Sequence, residues 1–334
     1  ERVGQVFEVV GKTQNPTTEL IPGDIGAVSK LSSVLTGDTL SEKTHPLIVS
    51  SLEFPSPVYQ MAAYPNSKAD LDKMTSALSR ISEEDPSLKV TREPNTLEML
   101  IGGLGDTHVD VAVEKMKRKF GVEIVLETPK VPYMETIKST SKVEYRHKKQ
   151  SGGHGQFAHV WLEIEPLVRG SGFEFDQKVV GGSVPKEYIP SVQKGCIKAT
   201  DTGVLAGYPV VDLKSTLVDG SFHPVDSSGV SFEIAGSHAL SDGIKQANPI
   251  LLEPIMLVRI TVPESDTGEV MGDLNSKRAK ILGMLPRDDG MSVIEAEVPQ
   301  IETLRYATDL RSQTQGRGLF TIEYLKNKLI KELI

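Results

Sequence analysis

Residues 145–160, YRHKKQSGGHGQFAHV, carry the densest chemistry in the chain. Arg146, Lys148 and Lys149 are cationic, and His147 and His154 stand beside them. Gly152, Gly153 and Gly155 allow backbone angles closed to other residues, so the run reads as a tight hairpin tip. A basic tip is an electrostatic contact point for a polyanion; a solvated surface loop is the alternative. A second loop, SFHPVDSSG (Ser221–Gly229), offers His223, a proline and small hydroxyls. A histidine there can donate to a phosphate or ribose oxygen and stack on a base. In the plainer reading, Asp226 and Ser227 only cap the helix that follows. Lys277, Arg278, Lys280 and Arg287 form a third group, for which a solvated helix face is the default.

Other chemistries lack their residues. The seven histidines show no HExxH and no metal-ligand spacing, and the one cysteine has no cysteine partner. Gly102–Asp106 is glycine-rich but has neither GxGxxG nor a Walker lysine, and GxxxxGK[ST] is absent throughout. There is no convincing nucleophile–base pair. By these residues the chain is a binding or scaffold module with no catalytic, metal or cofactor site of its own.

The 334 residues suggest two to four domains. A net charge of −8 means that nucleic-acid contact must use local basic patches. Aromatic residues make up only 5%, which argues against base-stacking platforms. A single cysteine, Cys196, fits a reducing compartment, and its helical spacing makes it a core residue. No apolar run approaches the roughly 20 residues of a membrane span. A chain that opens on Glu1 inside a strand-like run reads as a piece of a longer protein.

The positioning elements follow from periodicity. Residues 1–45 read as strands and turns, the remainder of a β-barrel. Residues 46–126 give a strand at Ile48–Glu53, then a helix capped by Asn66 or Ser67 with Leu71, Met74, Leu78 and Ile81 inward. Strands at Leu88–Arg92 and Leu97–Ile101, a helix at Asp106–Phe120 stopped by Gly121 and a strand at Val122–Leu126 complete a β-α-β-β-α-β split motif. His108, near the start of that second helix, has a packing or capping role. The same order returns in residues 251–334: strand Ile255–Val262, helix Thr267–Ile281, strands Gly283–Pro286 and Met291–Val298, helix Ile301–Gln313, strand Leu319–Tyr324. Between them, residues 127–250 hold the basic hairpin, a helix from Pro185, a strand at Val210–Leu217 and a helix from about Val230 to Ala247. Few contacts are expected across residues 46, 127 and 251.

The strings VGGSVPKEYIPSVQKG, TGVLAGYPVVDLKSTLVDGSFHPVDSS, LLEPIMLVRITVPE, GEVMGDLNSKRAKILGM and YATDLRSQTQGRGLFTIEY resemble elongation factor G, a ribosomal translocation GTPase. The likeness runs over nearly the whole chain. It implies an α+β multidomain fold: the end of domain II, ferredoxin-like domains III and V, and an elongated domain IV with a left-handed crossover between them. It also implies a cytoplasmic monomer whose partners are the ribosome, tRNA and mRNA, with no membrane. Lys148, Lys149, Gln150, Ser151, Gly152, Gly153, His154, Gly155, Gln156 and His223 match tip loops that enter the small-subunit decoding region. Lys277, Arg278 and Arg317 match a region near the large-subunit sarcin–ricin loop. GTP and Mg²⁺ belong to a domain that this chain lacks. The sequence also departs from the family. His154 and Ala158 replace an arginine and a glycine of GGRGQ(Y/F)GHV, GDTHVD stands for GELHLE, and Gly229 and Glu233 replace a common acidic residue and lysine. Such a tip fits a divergent paralogue in ribosome recycling or tetracycline protection as the alternative.

Without a glycine-rich phosphate cradle and its lysine, the chain is expected to bind no GTP or GDP; calorimetry showing micromolar affinity would contradict this.

Overall fold

A computed structural model describes residues 1–150 and 155–330. Its first strands, β1 (Val6–Val10), β2 (Thr13–Thr17) and β3 (Ala27–Val28), form an antiparallel sheet in the order β2-β1-β3. The sheet does not close into a barrel. The strand expected at Ile48–Glu53 does not form. Leu47, Ile48, Val49 and Leu52 are exposed between Pro46 and Pro55, and no sheet edge among the described residues pairs with them.

The sheet-forming run begins later, at β4 (Tyr59–Pro65). It is followed by α1 (Leu71–Glu84), β5 (Lys89–Arg92), β6 (Met99–Gly103), α2 (Asp106–Phe120) and β7 (Ile124–Glu127). The antiparallel order β5-β6-β4-β7 is the split β-α-β arrangement. Met74, Ala77, Leu78 and Ile81 of α1 and Val109, Ala112 and Met116 of α2 pack on the sheet, as the helical period requires. Leu71, expected inward, is exposed. Ser67 does not cap α1. Its hydroxyl donates to Asp70 across a short 3₁₀ turn, and Asp70 starts the helix. Gly121, at φ 65°, ends α2 in the left-handed region that a β-carbon disfavours. His108 has the expected packing role: Nδ1 accepts from the Leu104 amide at 3.1 Å, and Nε2 meets Asp85 at 3.0 Å.

The middle segment contains β8 (Met134–Ile137), β9 (Ser141–Lys149), β10 (Gln156–Pro166), β11 (Phe173–Gln177), α3 (Ile189–Thr200), β12 (Leu213–Ser221) and α4 (Gly229–Gln246). Its sheet runs β11-β12-β10-β9, with β11 and β12 parallel and α3 crossing between them. Helices α3 and α4 lie against each other on one face. A β-carbon at Gly195 would sit 2.0 Å from the Glu233 carbonyl, so only glycine admits this approach. Cys196 is fully buried in that core, and burial pushes its thiol up to about 12.

The last segment repeats the split arrangement with β13 (Pro249–Pro263), α5 (Thr267–Ser276), β14 (Lys280–Pro286), β15 (Met291–Pro299), α6 (Gln300–Thr303), α7 (Tyr306–Gln313) and β16 (Leu319–Leu329). The order is β14-β15-β13-β16. The helix expected to reach Ile281 stops at Ser276. Arg278 turns the chain at φ 55°, and Ile281 packs from a strand. The helix expected over Ile301–Gln313 is broken at Leu304–Arg305 into α6 and α7.

Contacts across residue 251 are dense, not sparse. Strand β13 runs through it without interruption. Pro249–Leu252 pair with β8 of the middle segment, and Leu252–Thr261 pair with β16. Next to this junction the fully buried carboxylate of Glu135 accepts from the amides of Leu205, Ala206, Gly207 and Tyr208 at 2.8–3.3 Å.

At the preceding junction, buried Glu98 accepts from Tyr64, Thr96 and the Lys130 amide. Burial acts to raise its pKa. The hydrogen bonds from Tyr64, Lys130 and Thr96 outweigh it, and the carboxyl titrates below its ordinary 4.5. A depressed folded-state pKa stabilises above the unfolded value, and that stability is lost as pH falls through the folded one. Glu98→Gln is therefore expected to flatten the decline of the urea midpoint below pH 4.5, while lowering the midpoint at neutral pH. Parallel acid profiles of the two proteins would contradict this.

Candidate nucleic-acid interface

The hairpin β9–β10 and the turn after β12 meet at one end of the middle sheet. Strand pairing carries Lys149 opposite Gln156 and Lys148 opposite Phe157. The turn is joined to the hairpin by backbone and side chain together. The Phe157 amide donates to the Asp226 carbonyl at 2.9 Å, and the Ser227 hydroxyl donates to the Phe157 carbonyl at 2.8 Å. The Asp226 carboxylate accepts from the Gly155 amide at 3.0 Å. A β-carbon at Gly155 would stand 3.0 Å from that carboxyl group, so the contact favours glycine.

His223 sits in the turn with half its side chain exposed. Its Nδ1 accepts from the amides of Val225 and Asp226 at 3.3 and 3.2 Å and lies 3.3 Å from the Asp226 carboxylate, while Nε2 has no hydrogen-bond partner among the described residues. Its ring stands 6.3 Å from that of Phe157, and the Arg146 guanidinium lies 5.2 Å over the Phe157 ring. Lys148, Lys149 and Gln150 are exposed, and neither lysine forms an ion pair with a described residue. Gln156 shares a hydrogen bond with His147 at 2.9 Å across the hairpin. Ser151, Gly152, Gly153 and His154 lie outside the described residues. The helix cap expected from Asp226 or Ser227 comes instead from Ser228, whose hydroxyl accepts from the Ser231 amide at 3.2 Å. Asp226 and Ser227 divide their polar atoms between the hairpin and His223, whose amide donates to the Ser227 hydroxyl at 2.8 Å. Sequence reasoning missed this clamp; its only trace is a carboxylate three residues after His223.

The other expected contacts have partners within the protein. Lys277 lies 3.3 Å from Asp273 and 3.0 Å from Asp309. Arg278 reaches both carboxylate oxygens of the buried Glu253, at 3.1 and 3.2 Å, and also Glu302. Arg317 pairs with Asp266 at 3.1 Å. These cations neutralise carboxylates around α5, α6 and α7, so the charge they offer to a phosphate is small beside that of Lys148 and Lys149. Among the described residues no cluster of histidine, cysteine and carboxylate side chains is arranged to hold a metal ion. No described helix is long and apolar enough to cross a membrane.

Comparison with known proteins decides the relationship. Residues 54–128 match Elongation Factor G, domain III; residues 129–248 match Elongation factor G, domain IV; residues 250–330 match Elongation factor G C-terminus. The chain belongs to the elongation factor G family. A crystal structure from Thermus thermophilus superposes with a TM-score of 0.82 at 35% sequence identity, over 98% of this chain and 49% of that one. The chain thus spans about half the length of that solved relative. Within the family frame, the clamped tip belongs to domain IV and the paired cations to the C-terminal domain. The α+β multidomain architecture agrees with this membership.

Asp226→Ala removes the charged acceptor for Gly155. It is expected to cost about 1–3 kcal/mol of local stability, read as faster hydrogen exchange at Gly155 and Phe157 with unchanged exchange in α3 and α4.

Proposed function

We propose that this chain is the C-terminal part of a ribosomal translocation factor, and that its domain IV tip makes the RNA contacts. The domains would divide as 1–45, 46–126, 127–250 and 251–334. Membership of a translation factor family, shown by matches over three successive domains, supports ribosome binding. The observation that carries the finer reading is the clamp. Asp226 and Ser227 hold the His223 turn against the hairpin, which brings half-exposed His223 and the exposed Lys148 and Lys149 to one end of the sheet. In this reading the tip contacts phosphate and ribose oxygens beside mRNA and tRNA in the decoding region. Domain V would lie against the sarcin–ricin loop, where Lys277, Arg278 and Arg317 reach phosphate only by exchanging it for a carboxylate. GTP and Mg²⁺ would be held by a domain outside this chain, which would perform the hydrolysis.

A second reading, a specialised paralogue in recycling or tetracycline protection, draws on Glu233. It pairs with Lys194 of α3 at 2.9 Å, so the start of α4 carries a carboxylate that neutralises a nearby cation. A ribosome pelleting assay tests binding, and a translocation assay separates the two readings. In the longer parent, His223→Ala is expected to slow translocation about tenfold through one lost hydrogen bond and its stacking surface. Ribosome-stimulated GTP hydrolysis should stay nearly unchanged. Parallel loss of both activities would overturn this division of roles.

A further inference from the structure

The low aromatic content argues against a stacking surface, yet Phe157 and the single tryptophan, with two histidines, lie along one strand face. Helices α3 and α4 cover one face of the middle sheet, where Val143, Ala158, Val160, Leu162 and Ile164 are buried. Side chains alternate along a strand, so Phe157, His159 and Trp161 of β10 share the opposite face. All three are half-buried, with surface left toward solvent. The rings of His159 and Trp161 stand 6.2 Å apart at 56° to each other, and His223 lies beyond Phe157 at 6.3 Å and 57°, so each ring offers its own face and the row is stepped, not flat. Two residues of strand advance about 6.8 Å, so successive rings are spaced to receive successive bases of an extended strand.

Charge on this face is graded. Beside the tip half of β10, strand β9 carries Arg146 opposite His159 and Lys148 opposite Phe157. Farther from the tip, Glu144 and Asp219 flank Trp161, and Lys142 is paired with Glu163 at 2.9 Å. Phosphates are therefore favoured along the tip half of β9. The carboxylates beside Trp161 repel phosphate and accept hydrogen bonds from exocyclic amino groups of bases. Ser221, which meets His159 Nδ1 at 3.2 Å, and Glu144, at 3.2 Å from Nε2, hold the central ring in place.

We propose that this open sheet face is a stacking platform for single-stranded RNA, with unpaired bases on His159, Trp161 and the Phe157 ring with the Arg146 guanidinium over it, and with Arg146 and Lys148 supplying charge to the phosphates. Alternation of rings with cations selects this occupant. A duplex keeps its base faces stacked internally and offers the row nothing to stack on, whereas every unpaired base has a π-face. The surface goes beyond ribosome docking through the tip loops, and pelleting can succeed whether or not the platform exists.

Trp161 is the only tryptophan in the chain, so its emission reports on this face alone. The test titrates the 334-residue chain with a short oligoadenylate and, separately, with a blunt-ended RNA hairpin whose loop is a non-nucleotide linker, following Trp161 emission and the anisotropy of end-labelled RNA together. Oligoadenylate is expected to quench Trp161 with the same midpoint as the anisotropy, and the hairpin should leave the emission unchanged. Phe157→Ala, checked for native circular dichroism, is expected to raise the midpoint about tenfold. Arg146→Gln, at an exposed position, is expected to raise it at low salt and to reduce its salt dependence. Binding without quenching, equal quenching by the hairpin, unchanged midpoints in both variants, or no binding of oligoadenylate would each overturn the platform.

Discussion

Backbone hydrogen bonding along β13 is the constraint on which the C-terminal two-thirds of the molecule depends. A strand buried between neighbours must satisfy its amides and carbonyls on both edges. β13 meets this demand by borrowing from two modules: Leu252 pairs with Met134 of β8 on one side and Leu329 of β16 on the other. Beyond it, β15 continues the edge that β8 began. The middle and last segments therefore share a sheet, and their relative orientation is set by strand register. By contrast, the link between β7 and β8 rests on a few side-chain contacts, chiefly Glu98 with the Lys130 amide.

The tip takes its geometry from the other sheet of the middle segment, in which β10 pairs with both β9 and β12. Its two loops are joined by main-chain bonds that do not depend on side-chain identity, and by Asp226, which does. The clamp explains how an acidic chain presents a compact cationic feature. Acidic groups near the tip are used internally, while Lys148 and Lys149 are left outward. In the C-terminal domain the arrangement is reversed, and cations are spent on buried or half-buried carboxylates such as Glu253. Removing one partner of such a pair strands a charge in a poor solvent, so these cations serve the fold first.

Much of the architecture was legible because helices announce themselves by period. Asp106–Phe120 reads directly from Val109, Met116 and the terminal Gly121. Strands were less legible. Ile48–Glu53 has the apolar content of a strand but pairs with no edge among the described residues, and pairing is a non-local property. The end of α5 was misplaced because Ile281 continues the helical spacing by coincidence, while Arg278 adopts a left-handed conformation that its residue type does not signal. At the candidate site the glycines, lysines and His223 stood out by type. Arg146 stood out as a cation and Asp226 as a helix cap, but their roles here did not, since a clamp and a guanidinium stacked on Phe157 exist only after two distant segments meet. Composition misled in the same way: a small number of rings says nothing about whether alternation places them on one face.

The pairing of β8 with β13 also sets a timetable for synthesis. Met134–Ile137 leave the translating ribosome more than a hundred residues before Pro249–Leu252, their hydrogen-bonding partners. Until then β8 offers an open strand edge, the kind of template on which nascent chains mispair. The earlier split β-α-β module, whose strands are all local, can close while the chain is still growing. The module that bears the tip cannot be completed until the following one has begun, so the two are obliged to mature together.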